Sequence, residues 1–201
     1  MAEKNKKGAS GGSKGRPRSD DSTNRIRKAA IKLLKEKPFF EISMDEIAAA
    51  SGSSKTTIYR RWQSLEELCA DSFFYEAKDL IRFDDTGSLE KDLTQALVRF
   101  GRFLNGPWGR ALRTLIGSTA LKSSAAEVVM RNYYSLRWKQ ISEALERGKK
   151  RGEIGRNVNT NHLTDRLFGP VFYKFLIRRE AIDDTYCKEL IAHLLPKGRA
   201  Q

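Results

Sequence analysis

Apolar residues recur along this chain at three- and four-residue intervals, the period of a helix with one face turned inward. Ile26, Ala30, Leu33 and Leu34 form the first such stripe, behind Ser19 as a cap and Asp20 and Asp21 at the positive end of the helix dipole. Pro38 ends that element, and Phe39 and Phe40 are expected to plug a core. Ser43-Met44-Asp45-Glu46 has the form of a capping box and opens a short helix through Ile47 to Ala50. Gly52 breaks it, and Ser54 is placed to cap a second short helix from Lys55 to about Arg61. Ser64-Leu65-Glu66-Glu67 repeats the box ahead of Leu68, Phe73 and Leu80.

The remaining pattern is helical as well. After a loop at Asp84-Asp85-Thr86-Gly87, residues 88–105 repeat apolar groups at Leu89, Leu93, Leu97, Phe100 and Leu104 until Asn105-Gly106-Pro107. A helix is predicted from about Trp108 to Leu121, and a long one over roughly 124–151 carries Val128, Val129, Tyr133, Leu136, Ile141 and Leu145. Two more follow over roughly 160–179 and 183–195, the last ended by Pro196. No alternating stretch of convincing length and no internal repeat appears, so the predicted class is all-α. Three regions are expected: a basic disordered arm at 1–18, a helix-turn-helix domain at 19–63, and a helical domain at 64–201.

Charge changes this picture. The chain carries 38 Lys and Arg against 25 Asp and Glu, a net +13, and residues 1–62 hold 15 of the basic and 7 of the acidic groups. A basic excess concentrated at one end suits a polyanionic partner such as nucleic acid. The arm itself holds Lys14-Gly15-Arg16-Pro17-Arg18, an extended cationic strip narrow enough for a minor groove, or else a flexible solvated leader. The basic arm and two capped helices joined at Ser51-Gly52-Ser53 together predict a helix-turn-helix, whose second helix enters the major groove. Lys55, Thr56 and Thr57 would offer donors, acceptors and methyls at its leading turn, with Tyr59, Arg60 and Arg61 for phosphates.

Other chemistries find little support. His162 and His193 are the only histidines, and neither has metal-ligand spacing. No phosphate loop or nucleophile motif appears, so no catalysis and no cofactor are expected. Cys69 and Cys187 lie far apart, as in a reducing compartment; each is read as a small apolar residue, with redox sensing as the alternative. No signal-like apolar stretch follows the N-terminus and no run approaches membrane-spanning length, which predicts a cytoplasmic protein without a membrane partner.

The run Ser43-Met44-Asp45-Glu46-Ile47-Ala48-Ala49-Ala50-Ser51-Gly52-Ser53-Ser54-Lys55-Thr56-Thr57-Ile58-Tyr59-Arg60-Arg61-Trp62, followed by Ser64 and Glu67, resembles the TetR/AcrR family of bacterial one-component regulators. The resemblance covers roughly residues 15–80 and includes the Gly-Arg-Pro-Arg lead-in. It implies that Ser54 caps the recognition helix, that Thr56, Thr57 and Tyr59 face DNA with Lys55 and Arg60 beside them, and that Ile47, Ala48, Ile58 and Trp62 pack. With Arg16 and Arg18 of the arm, Ser43 and Arg61, these complete the expected DNA-facing set. The sequence departs from the family's pattern at Ser51 and Ser53, where Ala and a small apolar residue are usual. Leu65 stands where a basic residue often touches phosphate, a contact that Arg60 or Arg61 would then supply.

The resemblance further implies that residues from about 64 onward bind a small-molecule effector and dimerise, so that two recognition helices address a palindromic operator. For the dimer face the candidates are Leu167, Phe168, Val171, Phe172, Phe175, Tyr186 and Leu190, which equally suit an internal core. For the ligand pocket they are the mid-chain aromatics Phe103, Trp108, Tyr133, Tyr134 and Trp138, again against a core reading. Arg99, Arg102, Arg110 and Arg113 could favour an anionic ligand or simply be solvated. The expected function is a homodimeric regulator of double-stranded DNA and, as the resemblance implies, a ligand-released repressor; the alternatives are a nonspecific DNA-associating protein without a sensor and a basic helical adaptor.

Overall fold

The computed structural model describes residues 18–77, 82–119 and 124–195; within these, the side chains at 18, 19, 118, 119, 124–126, 128–130, 132–134, 136 and 137 lie outside the description. Nine α-helices and no strand occur among the described residues. Helix α1 (Arg18–Glu36) buries Ile26, Ala29, Ala30 and Leu34 along one stripe, with Asp20 and Asp21 in its first turn. The helix already includes Ser19, the residue expected to precede it. Pro38 stops it, and a 3-10 turn, Phe39–Glu41, follows. Phe39 is buried there, but Phe40 is 78% exposed, so only one of the two expected plugs is used: adjacent positions of a tight turn face different ways.

Helix α2 (Met44–Ser51) begins at a complete capping box between Ser43 and Glu46 and ends where Gly52 adopts φ +62°. Helix α3 (Lys55–Tyr59) starts at Ser54, whose hydroxyl accepts from the Thr57 amide at 3.2 Å. Helix α4 (Leu65–Ala77) starts at Ser64, which accepts from the Glu67 amide at 3.1 Å. The Glu67 carboxylate returns to the Gln63 amide at 2.6 Å, one residue earlier than a standard box. Leu80 lies outside the described residues.

Helix α5 (Leu89–Asn105) buries Leu89, Leu93, Leu97, Phe100 and Leu104, the stripe expected of it. Pro107, expected only as a stop, also opens α6 (Pro107–Thr119), because its fixed φ and missing N–H suit a first helical position. The α5–α6 corner is tight: a Cβ on Gly109 would lie 1.7 Å from the Leu104 carbonyl oxygen. Helix α7 (Ser124–Lys150) is the longest. Helix α8 (Thr160–Phe172) contains Pro170 and passes into a π-helical turn, Tyr173–Arg178, where one continuous helix was expected. Pro170 has no amide to donate, which loosens the regular ladder just before the wider turn. Helix α9 (Asp184–Leu194) is capped by Asp183, which accepts from the Tyr186 amide at 2.7 Å.

Helix α4 joins the two halves of the chain, packing on α1 in the N-terminal half and on α6 and α7 in the C-terminal half. Helix α5 lies between α6 and α9. At its last residue the Asn105 amide both donates to the Ile182 carbonyl (2.8 Å) and accepts from the Ile182 N–H (2.9 Å). No helix among the described residues is long and apolar enough to cross a membrane.

Candidate nucleic-acid interface and ligand cavity

The recognition segment is built from its buried side outward. Ile47 of α2 and Ile58 of α3 are both 0% exposed and hold the two short helices together, with Trp62 buried behind them. This fixes what the other face presents: Lys55, Thr56, Tyr59 and Arg60 are exposed, with Thr57 half-buried. The Ser54 and Thr57 hydroxyls share a 2.9 Å hydrogen bond, which joins them in the cap. The Lys55 ammonium sits 2.6 Å from the Asp45 carboxylate, which raises its proton affinity above that of an ordinary lysine. Arg61 turns back and donates to the Ser22 hydroxyl of α1 at 3.3 Å. Ser43 is exposed at the start of α2, its hydroxyl engaged with Glu46, whose carboxyl the Lys37 hydrogen bond holds below the usual range. Arg16 and the Arg18 side chain lie outside the described residues.

Sequence reasoning missed how this unit is fastened to α4. The Asp71 carboxylate accepts from the Arg27 guanidinium at 2.8 and 3.2 Å and from the Trp62 indole N–H at 2.9 Å. Arg27 also lies over the Tyr75 ring at 4.3 Å. One carboxylate of α4 therefore holds both α1 and the segment after the recognition helix, through a forked charge-assisted pair. The sequence signal was a single acid, Asp71, in the otherwise uncharged run Leu68 to Tyr75.

Two residues beyond Asp71, the same helix reaches a cavity of about 390 Å³. Phe73 and Phe74 of α4, Phe83 of the following loop, and Phe100 and Phe103 of α5 form one side. Leu112, Trp138 and Ile141 come from α6 and α7. Thr164, Asp165, Phe168, Gly169 and Phe172 complete it from one face of α8. The rings interlock edge-on: Phe100 lies 5.7 Å from both Phe168 and Phe172, and Phe73 lies 5.8 Å from Phe103.

Of the aromatic candidates for this pocket, Phe103 and Trp138 are on its wall. Trp108 stands behind it, stacked on Phe103 at 5.9 Å with the Lys35 ammonium 4.1 Å from its ring. The side chains of Tyr133 and Tyr134 lie outside the described residues. Phe168 and Phe172, expected at a dimer face, line the cavity instead. Leu167, Val171 and Phe175 are 1%, 0% and 1% exposed, covered by this chain's own core, where α8 packs on α7 and α9. Tyr186 and Leu190 are half-buried. The outward apolar groups here are Tyr173 and Ile177, at 58% and 68% exposure.

The two cysteines are buried and free. Burial pushes both thiols up, Cys187 to about 11, so neither is the thiolate that redox chemistry needs at neutral pH. No cluster of metal-ligating side chains occurs among the described residues.

Residues 26–71 match the profile of the bacterial regulatory proteins of the tetR family, and residues 83–194 match the tetracyclin repressor-like C-terminal domain. The chain is 33% identical over 178 residues to an uncharacterized HTH-type transcriptional regulator, YdeS, of Bacillus subtilis, covering 89% of this chain and 90% of that one. It is 27% identical over 149 residues to the HTH-type transcriptional regulator AqdR of Rhodococcus erythropolis, 73% of this chain and 70% of the relative. Among solved structures it resembles the TetR family transcription regulator SCO0332, with a TM-score of 0.77, 29% identity, and coverage of 89% of this chain and 99% of the other.

Proposed function

The chain belongs to the tetR family of bacterial regulatory proteins and is a helix-turn-helix transcriptional regulator rather than an enzyme, and we propose that it is a homodimeric repressor released from a palindromic operator by a small-molecule effector. The observation that carries this reading is the pairing, on the single helix α4, of the Asp71 clamp on the DNA-reading unit with Phe73 and Phe74 of the cavity wall. An occupant of the cavity pushes on α4, and α4 sets where α1 and the recognition helix stand. Ligand binding therefore favours a dimer whose recognition helices no longer match successive major grooves.

In this reading Thr56, Thr57 and Tyr59 meet the bases and the adjoining phosphates, while Lys55 and Arg60 supply charge. Ser43 and Ser54 act through the caps they form. Arg61, tied to Ser22, steadies the unit and reaches phosphate only by leaving that contact. Arg16 and Arg18 would follow the minor groove. The dimer contact falls on the outward side of α8, the π-turn and α9, around Tyr173, Ile177 and Leu190.

The test is selection of duplex fragments on the full-length protein at about 150 mM salt, followed by sequencing of what is retained. Enrichment of one palindrome, with half-sites about one helical turn or somewhat more apart, is expected. Retention without sequence preference would overturn the operator-specific reading in favour of a nonspecific DNA-associating protein.

A further inference from the structure

We infer that the cavity takes a lipophilic aromatic molecule bearing a positively charged or N–H-donating group, held by Asp165 and the surrounding rings. This rests on the reading of the cavity as the effector site. Eight aromatic side chains line it: Phe73, Phe74, Phe83, Phe100, Phe103, Phe168 and Phe172 with Trp138. At about 390 Å³ it stands at the small end of ligand sites, which run from roughly 300 to 1,000 Å³. Such walls select an apolar body and leave polarity to be decided by few atoms.

Among the described residues, those atoms offer a ligand acceptors rather than donors. Two lining side chains among those described carry an N–H or O–H, and both are engaged within the protein. The Thr164 hydroxyl donates to the Thr160 carbonyl at 2.8 Å, and the Trp138 indole donates to the Asn161 side-chain oxygen at 3.0 Å. Asp165 is the lining charge among the described residues, and no described side chain forms an ion pair with it. The Phe and Trp faces add their own negative potential, which attracts a cation within about 6 Å.

Arginines on neighbouring helices, which the sequence offered as an anion site, are directed elsewhere. Arg99 binds Asp84 at 2.9 Å and the Arg82 carbonyl at 2.6 Å. Arg102 binds Asp184 at 2.7 Å, and Arg113 covers the Phe175 ring at 4.6 Å. Arg110 is exposed and absent from the described wall. A carboxylate or phosphate in the cavity would face Asp165 and a ring of aromatic quadrupoles with no described donor to meet it. Among the described residues, the complement to Asp165 is therefore left to the ligand.

Three probes of one shape separate the possibilities: naphthylmethylamine, cationic at neutral pH; naphthylmethanol, neutral; and naphthoate, anionic. Equilibrium dialysis against the full-length protein is expected to rank them amine, alcohol, carboxylate, with the amine about tenfold tighter than the carboxylate. Asp165→Asn should bring the amine to the level of the alcohol while leaving the alcohol unchanged. Asp165→Lys, at an exposed position that tolerates either charge, should reverse the order. Naphthoate binding as well as the amine, an order unmoved by both variants, or no retention of any probe would each overturn the inference. The same samples are assayed for release of the selected operator fragment. Charge-ordered binding without release sinks the effector-release reading and leaves the ligand class standing; release without charge order does the reverse.

Discussion

The DNA-reading unit and the cavity half are both helical, yet they use buried apolar groups in opposite ways. In the first, Ile47, Ile58 and Trp62 close against each other and leave polar groups to be satisfied within a few residues by Ser43, Ser54 and Glu46. In the second, eight aromatic side chains drawn from five segments surround about 390 Å³ of open space. The contrast shows where rigidity is useful. A recognition helix of five residues has too few internal hydrogen bonds to stand alone, so packing and caps must fix it before it can read bases. A sensor must retain unfilled apolar surface for its ligand to cover.

The largest effect that would test this contrast is on stability. Trp62→Ala should cost about 3–5 kcal/mol in urea unfolding, through lost burial and the Asp71 acceptor left without its indole donor. Phe172→Ala, at a half-buried ring already facing space, should cost only about 1–2 kcal/mol. Equal costs would mean that the cavity wall is as tightly packed as the recognition unit. Filling the space should act with the opposite sign. Leu112→Phe is expected to stabilise the protein by about 0.5–2 kcal/mol while abolishing retention of naphthyl probes, and destabilisation would show that the wall cannot accept volume.

Ser54→Ala sits at the rigid end of the comparison. Loss of the hydroxyl that accepts from the Thr57 amide should cost about 1 kcal/mol of helix stability. Because α3 is so short, that loss should show more in operator retention than in global unfolding. A variant with weakened unfolding but undiminished retention would place the cap outside DNA recognition.

The two regions also differed in how far the sequence disclosed them. Ser43, Gly52 and Ser54 act on neighbours within four positions, so local spacing was enough to place α2, the turn and α3. The cavity assembles Phe83 with Phe168, residues whose pairing depends on the whole bundle. Helical periodicity showed that Leu167, Phe168, Val171 and Phe172 share an inward side. It could not show whether inward means a core, a pocket or a second chain, and the structure divides them between the first two. The break of α8 into a π-turn was readable only through Pro170, since the apolar pattern runs on through it. Phe40 shows the limit of hydrophobicity itself: the more exposed of two adjacent phenylalanines is set by a three-residue turn.

The smallest expected effect sharpens the comparison at the DNA surface, where charge rather than packing decides. Lys55 leads the recognition helix but is paired at 2.6 Å with Asp45, both groups being largely exposed. To reach a phosphate or base edge, Lys55 must leave that partner or carry a carboxylate toward polyanionic DNA. Asp45→Asn removes the competitor without touching the buried side of α2, where Met44 and Ile47 pack. Affinity for DNA should rise about threefold at moderate salt, because exposed pairs of this kind are weak. The salt dependence should steepen by about one released counterion, since a lysine now meets phosphate uncompensated. Lys55→Ala should move the slope the other way by a similar amount. If Asp45→Asn instead weakens retention of the operator with no change in slope, the carboxylate orients Lys55 for a base contact rather than competing for it, and the outer surface of the recognition unit is as closely specified as its core.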